Sequence, residues 1–137
     1  MQPEDMKLVL VIDPSLPIGV IANISALLSI SIGKYLQENL GPEISDASGL
    51  LHRGIFDRAI TVLAAAPKDI ANLHSAGTAA DLVLVGLTTH AQEAHTYDEY
   101  SRTLAATATE KLDYLGIAIC GSRKRVTKLT GSLPLLR

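Results

Sequence analysis

The 137-residue sequence has little of several side-chain types on which particular kinds of site depend. It contains one cysteine, Cys120, no tryptophan, one phenylalanine and four tyrosines. A single cysteine excludes an internal disulfide and a cysteine-based zinc cluster, and it fits a reducing compartment, so we expect a cytoplasmic protein. Because aromatic residues are scarce, the core must be aliphatic, and we expect no stacking platform for nucleic-acid bases.

Strong charge of one sign and long hydrophobic runs are also lacking. The 12 basic and 14 acidic residues leave a formal net charge of −2, so we expect neither a nucleic acid nor an anionic membrane surface as a partner. The longest apolar stretch begins at Ile18 and covers about 15 residues, against the roughly 20 that a bilayer requires. Asn23 interrupts this stretch, and we expect no membrane-spanning segment.

Short aliphatic runs alternate with helical patterns along the chain. The apolar period and the turn residues predict a main helix over Ile18–Leu40, helices over Pro67–Gly77 and Tyr97–Ala106, and an exposed hairpin or loop over Glu43–Gly54. Four runs have the length and aliphatic content of strands: Lys7–Ile12, Ala59–Ala64, Leu82–Leu87 and Leu115–Cys120. This alternation predicts an α/β fold, namely a three-layer α/β/α sandwich with a small mixed sheet of four or so strands, formed by residues 1–137 as a single domain.

The first half of the predicted helix Ile18–Leu40 is apolar on nearly all sides. A helix of this kind must be covered on two sides, whereas one small sheet covers only one of them. Since large exposed apolar patches usually mark interfaces, we expect a second copy of the chain to cover the other side and form a homodimer.

Polar residues directly follow the third predicted strand. In open α/β sheets, ligands bind beyond the carboxyl ends of the strands. Thr88, Thr89, His90 and Gln92 are therefore candidates for a ligand site, although helix capping and ordinary loop chemistry explain them equally well. His90 is the candidate acid or base, because the unperturbed pKa of histidine lies near neutrality.

Two further features suggest a site. Asn23 is an amide within an apolar helical turn, where a buried side chain needs hydrogen-bond partners, either structural ones or a ligand. Arg123, Lys124 and Arg125, together with Lys128, form a basic cluster in a net acidic chain. This cluster is interpreted either as a solvated surface or as a contact for phosphate.

Motifs for several other chemistries are missing. The sequence has no Walker-type phosphate loop, no dinucleotide-binding glycine motif and no nucleophile elbow. His90 and His95 are five residues apart, which does not place both on one helical face, and we expect neither a metal nor a cofactor. Cys120 lies within an apolar run and is interpreted as a small core residue.

Both ends of the chain resemble a known enzyme family. Leu115–Ile117 and the run Val126–Leu136 look like the closing segment of the second type of peptidyl-tRNA hydrolase. Leu8–Gly19 is similar to the first strand and following loop of that family, and Ala22-Asn23 falls near its A-A-Q. The resemblance implies the fold of that hydrolase.

A closer resemblance is to an uncharacterised bacterial family, the domain of unknown function 2000, which is grouped with the same hydrolase superfamily. Three runs carry it: Pro17–Asn23, Thr96–Tyr100 and Lys128–Arg137. Together the two resemblances span essentially the whole chain and are weaker over Gly41–Asp57.

The catalytic pair of the hydrolases does not carry over to this sequence. Their lysine falls here on Gly19 or Val20 and their aspartate on Gly86 or Leu87, none of which ionises. The nearest polar residues are those already identified as site candidates, together with two in the closing segment: Asn23, Thr88, Thr89, Gln92, Lys128 and Thr130. The resemblance thus implies a related scaffold, on which we expect peptidyl-tRNA hydrolysis to be absent or very weak.

Three functions from different classes follow from these residues. The leading prediction is a binding module for a small or phosphate-bearing ligand. One alternative is a hydrolase of altered mechanism that uses His90 as acid or base. The other is a structural homodimer that binds no ligand.

Overall fold

The computed structural model of the chain describes residues 5–137. The strands are β1 (Met6–Ile12), β2 (Ile44–Ser45), β3 (Leu51–His52), β4 (Ile60–Ala64), β5 (Val83–Thr88) and β6 (Tyr114–Ser122). The α-helices are α1 (Ile18–Gly33), α2 (Pro67–Ala79), α3 (Thr89–Glu93), α4 (Tyr97–Ala105) and α5 (Arg123–Thr130). Short 3₁₀-helices lie at Gln37–Asn39 and Thr109–Lys111.

Four strands form a mixed sheet in the order β4-β1-β6-β5. These are the four strands that the aliphatic runs predicted. β1 is parallel to β4, and β6 is antiparallel to both of its neighbours, β1 and β5. β1, β4 and β5 therefore point in the same direction, and their carboxyl ends lie at one edge of the sheet.

Helices cover both faces of this sheet. On one face, alternate residues of β1 pack against α1, which contributes Ile24, Leu28 and Ile32. On the other face, Ile70 of α2 and Val126 of α5 pack against the intervening residues of β1 and β6. This arrangement fits the predicted α/β sandwich. Cys120 is buried in the α1-side core, and burial raises the pKa of its thiol, as its interpretation as a core residue requires.

The main helix is shorter than predicted, since α1 ends at Gly33 instead of Leu40. Tyr35 N–H donates to Ile32 O, and Leu36 N–H donates to Gly33 O. These tighter bonds, formed three residues apart, end the α-helix and let Leu36 reach the core. The apolar run of α1 is buried on one side and exposed on the other, because Ile18, Leu27 and Ile30 lie on its outer side.

The closing segment contains a helix that the sequence did not predict. Ser122 Oγ accepts a hydrogen bond from Arg125 N–H and caps α5, whose Val126 and Thr130 are buried. The chain then runs along the outer edge of β4, where Ala64 N–H donates to Pro134 O at 2.9 Å and Leu136 N–H donates to Val62 O at 3.0 Å. This edge of the sheet is thus paired by the chain's own end.

The predicted hairpin is confirmed as β2 and β3, which form a separate two-stranded sheet. Its turn is organised by Asp46, whose carboxylate lies 2.8 Å from His52 Nε2 and accepts from Ser48 N–H and Leu50 N–H. The contact with His52, followed by these amides, holds the pKa of Asp46 below its usual value. Gly49 completes the turn at φ 89°, which an L side chain rarely adopts.

No helix within residues 5–137 is long and apolar enough to cross a bilayer.

Close packing beneath β5 depends on Gly86. A Cβ at this position would lie 2.7 Å from the Tyr114 ring and 3.2 Å from the His74 ring. The two rings pack together with their centroids 5.2 Å apart, which fastens α2 to the sheet. Partial burial lowers the pKa of His74.

Substitutions in α1 test the assignment of its two sides. Ile32 is fully buried, whereas Ile30 is 78% exposed. We expect Ile32→Ala to lower the free energy of unfolding by about 2–5 kcal/mol, because it leaves a cavity in the core. Ile30→Ala should change it by about 0.5 kcal/mol or less. Urea denaturation checks both values, and equal effects would show that α1 is placed wrongly.

The lowered pKa of His74 predicts a pH dependence of stability. Above about pH 7.5 the His74 ring is neutral in both the folded and the unfolded chain, because the pKa of histidine in an unfolded chain is near 6.5. As the pH falls through that value, the unfolded chain takes up a proton that the folded chain resists, so stability falls. His74→Phe keeps a ring against Tyr114 but cannot titrate.

Denaturation at pH 7.5 and 5.5 should therefore show a smaller loss of stability for His74→Phe than for the unsubstituted protein. His95→Phe, at an exposed histidine, is the control and should leave the loss in place. Identical pH dependence in the protein and in His74→Phe would contradict the assignment.

Candidate functional site

The polar residues after β5 form an internal hydrogen-bond network. His90 Nε2 lies 3.1 Å from Thr107 Oγ1, and His90 Nδ1 lies 3.4 Å from Thr88 Oγ1. Thr107 uses its hydroxyl proton to donate to Thr103 O at 2.8 Å. In a neutral ring, Nε2–H therefore donates to Thr107, and Nδ1 accepts from Thr88.

This network gives His90 a structural task. It joins the start of α3 to the segment that follows α4, where Thr107 is 17 residues away along the chain. Thr89 N–H donates to Asp113 O at 3.0 Å, which fixes the same junction from the other side. Thr88 is buried and Gln92 is exposed on α3. Both ring nitrogens of His90 are occupied, and an acid or base would need one of them free.

The other predicted site residues lie on two further helices, Asn23 on α1 and Lys128 and Thr130 on α5. Asn23 is exposed on α1, so the expectation that its amide is buried is wrong. Some of its apolar neighbours in the sequence lie on the exposed outer side of α1, so an apolar surrounding in the sequence did not mean burial in the structure. Lys128 is exposed on α5, and Thr130 is buried there, donating to Val126 O. α1 and α5 cover opposite faces of the sheet, so the structure does not bring these residues together.

The basic cluster lies at the exposed start of α5. Arg125 is engaged there, because its guanidinium donates to Ala80 O, at the end of α2, at 3.3 Å. Lys7 Nζ also reaches α5, where it donates to Thr127 Oγ1 at 3.1 Å. These contacts attach α5 to its neighbours and leave Arg123 and Lys124 in solvent.

A cavity of about 520 Å³ lies beside β5, between the last turns of α1 and the α3–α4 segment. Its floor and its walls combine apolar side chains with hydroxyl, amine and imidazole groups. The lining residues are Leu27, Ser31, Lys34, Tyr35, Val85, Gly86, Leu87, Ala91, Ala94, His95, Thr96, Tyr97 and Tyr100. None of the residues predicted for the site lines this cavity, although Thr88–Gln92 adjoin it.

Aromatic side chains are concentrated in the cavity. The chain has four tyrosines and one phenylalanine, and Tyr35, Tyr97 and Tyr100 all line this one space. The rings of Tyr97 and Tyr100 meet edge to face with centroids 5.5 Å apart. Tyr35 and Tyr97 are largely exposed, so their rings are available to another molecule.

The electrostatics of the cavity favour an anion. Lys34 is the one permanently charged residue among the described residues that line it, and no carboxylate does so. Lys34 Nζ lies 5.0 Å from the centroid of the Tyr35 ring, which holds the ammonium group beside an aromatic face. Burial, followed by the neighbouring Tyr97, raises the pKa of Tyr100, so its phenol stays a neutral donor.

The helix that carries two of the tyrosines begins where the sequence predicted. Thr96 Oγ1 accepts from Glu99 N–H, and the Glu99 carboxylate accepts from His95 N–H, each at 3.1 Å. This reciprocal capping fixes the first turn of α4, and with it the positions of Tyr97 and Tyr100. The start of this helix was predicted from the sequence, but the approach of Lys34 and Tyr35 was not.

Among residues 5–137, no group of three histidine, cysteine, aspartate or glutamate side chains is close enough together to hold a metal ion.

Comparisons with known proteins give a family from the sequence and a shared fold from the structure. The sequence matches the family model described as "Protein of unknown function (DUF2000)" over residues 6–137. Comparison with curated proteins gives no match. The structure is similar to that of a protein of unknown function from Agrobacterium tumefaciens, with a TM-score of 0.88 and 18% identity over 96% of this chain and 97% of that chain. That likeness shows a shared fold. The chain belongs to the DUF2000 family of proteins of unknown function.

Proposed function

We propose that the chain is a binding module for a small organic anion with a planar ring, a class that includes phosphate-bearing aromatic molecules. The concentration of three tyrosines around one lysine in a cavity without a carboxylate carries this proposal. The volume of about 520 Å³ is within the roughly 300–1,000 Å³ typical of ligand pockets.

The tyrosines supply the apolar part of the recognition. Exposed rings offer their faces to a planar ligand, and stacking of this kind contributes about 1–3 kcal/mol for each ring pair. Leu27, Val85 and Leu87 add an aliphatic floor that excludes water from the other side of the ring. The phenol hydroxyl groups can also form hydrogen bonds with a ligand.

Lys34 supplies the attraction for the anionic group. Ser31, which also lines the cavity, donates its hydroxyl proton to Leu27 O, and Thr96 Oγ1 accepts from Glu99 N–H. Lys34 carries the one permanent positive charge among the described residues of the lining. Because it is exposed, its contribution is screened by salt, and we expect affinity to fall as ionic strength rises.

Calorimetric titration tests this proposal with two anions, a nucleoside monophosphate and an aromatic carboxylate, each beside its uncharged analogue. We expect at least one anion to bind more tightly than its analogue. Lys34→Met should weaken that binding by about 10-fold, since it removes one exposed charge contact. Lys68→Met, at an exposed lysine of α2 outside the cavity, is the matched control and should bind as the unsubstituted protein does.

Binding that Lys34→Met and Lys68→Met weaken equally would contradict the site. Failure of both anions to bind would contradict the proposed ligand class.

A hydrolase of altered mechanism is the second candidate, supported by the resemblance of both chain ends to the second type of peptidyl-tRNA hydrolase. Under this proposal the scaffold is related to those enzymes, and His90 acts as acid or base. The hydrogen bonds at both ring nitrogens favour the binding module instead. The resemblance places the hydrolases' lysine on Gly19 or Val20 and their aspartate on Gly86 or Leu87, and none of these side chains ionises.

We expect no release of tRNA from a peptidyl-tRNA above the uncatalysed rate. Loss of a positioned charge or proton carrier typically costs about 10²–10⁴ in rate for each group, and two are missing. The measurement is a time course beside a genuine hydrolase. Turnover within about tenfold of that enzyme, abolished by His90→Ala or Lys128→Ala, would support the hydrolase instead.

A further inference from the structure

Residues 41–58 form an arm that stands apart from the four-stranded sheet. At its base, Gly41 N–H donates to Ile55 O at 2.8 Å, and Asp57 N–H donates to Asn39 O at 2.7 Å. Beyond this base, β2 pairs with β3 in a sheet of their own, and every residue of both strands is exposed. A two-stranded hairpin is at best marginally stable in water unless something packs against it.

The arm exposes large aliphatic side chains on this unsupported hairpin. Ile44, Leu50, Leu51 and Ile55 are between 59% and 79% exposed. Single exposed leucines are ordinary, but four large aliphatic side chains exposed within residues 44–55 are a concentration of the kind that marks an interface. Since Ile44 pairs with His52 and Leu51 with Ser45, each face of the hairpin carries part of this apolar surface.

An apolar groove lies at the base of the same arm. It has a volume of about 240 Å³ and is lined chiefly by Leu36, Leu40, Phe56 and Ile60. One chain thus carries a projecting apolar element and an apolar recess side by side. A two-fold interface requires this combination, because each copy must offer what the other receives.

The charge of the arm also fits a second copy. Glu43, Asp46 and Asp57 are offset by Arg53 and Arg58, so the arm is nearly neutral. Within it, Asp46 contacts His52, and Arg58 lies 3.5 Å from Asp57. Two copies of this nearly neutral surface can meet without strong charge repulsion. A strongly charged partner would find no complementary charge on it.

The extent of the surface is sufficient for a stable pair. Residues 41–58 and the groove lining together provide about two dozen residues, against roughly 20–30 on each side of a standard interface. We propose that the arm and its groove form the interface of a homodimer, in which the arm of each copy packs into the groove of the other. The outer side of α1, which the sequence suggested as the interface, stays in solvent.

Two double variants at similarly exposed positions locate the interface. Sedimentation velocity of the full chain at micromolar concentration should give a mass of twice 14.5 kDa. Leu51→Ser with Ile55→Ser should raise the dissociation constant by about 30-fold or more, as loss of central apolar contacts does. Ile18→Ser with Ile30→Ser, on the outer side of α1, is the control and should leave the dimer intact.

Hydrogen exchange of the unsubstituted protein gives a second measurement that needs no variant. Amides of residues 44–52 should become more protected as the protein concentration rises, while those of α2, on the opposite face of the sheet from the groove, should not change. A monomer mass at all concentrations, or dissociation by the α1 double variant and not by the arm double variant, would overturn the proposal.

Discussion

The arrangement of the molecule depends on the close approach of α1 to Gly116 of β6. A Cβ at Gly116 would lie 3.1 Å from Ile24 and 3.2 Å from Leu28 and Ile12. Gly116 is paired with Ile12 on one side and with Leu87 on the other, so the contact lies on the inner strand β6, near the carboxyl ends of β1 and β5. Because α1 is seated there, its last turns extend alongside β5, and Lys34 and Tyr35 come to face the cavity.

The opposite wall of the cavity is held by polar contacts instead of by the core. His90 connects α3 to the segment that follows α4, and the reciprocal cap of Thr96 and Glu99 sets the start of α4. These side chains are therefore already hydrogen-bonded within the protein. The groups exposed to a ligand are the tyrosine rings, the Lys34 ammonium group and the His95 imidazole, whose Nδ1 lies 3.5 Å from the Glu99 carboxylate. Because Glu99 is also engaged in capping α4, this pair has a structural role, and we propose binding ahead of catalysis.

The sequence predicted the sheet and most helices because their signals are local. Unbroken aliphatic runs identify strands buried on both faces, and apolar residues at helical spacing identify helices. It missed α5, a short and mostly hydrophilic helix attached by only two buried residues, Val126 and Thr130. The sequence did not predict the cavity, because the number of tyrosines does not indicate which of them come together in the fold. Tyr35 and Tyr97 are distant in sequence, and only the tertiary packing of α1 against β5 brings them together.

The location of a bound ligand is tested most directly by backbone amide shifts in a ¹⁵N NMR titration with the tightest-binding anion. Binding in the cavity predicts the largest shifts at Lys34, Tyr35, Tyr97 and the β5 residues that line the floor. Shifts centred on the exposed basic residues of α5, or on Asn23, with none around the cavity, would contradict a ligand site between α1, β5 and α4.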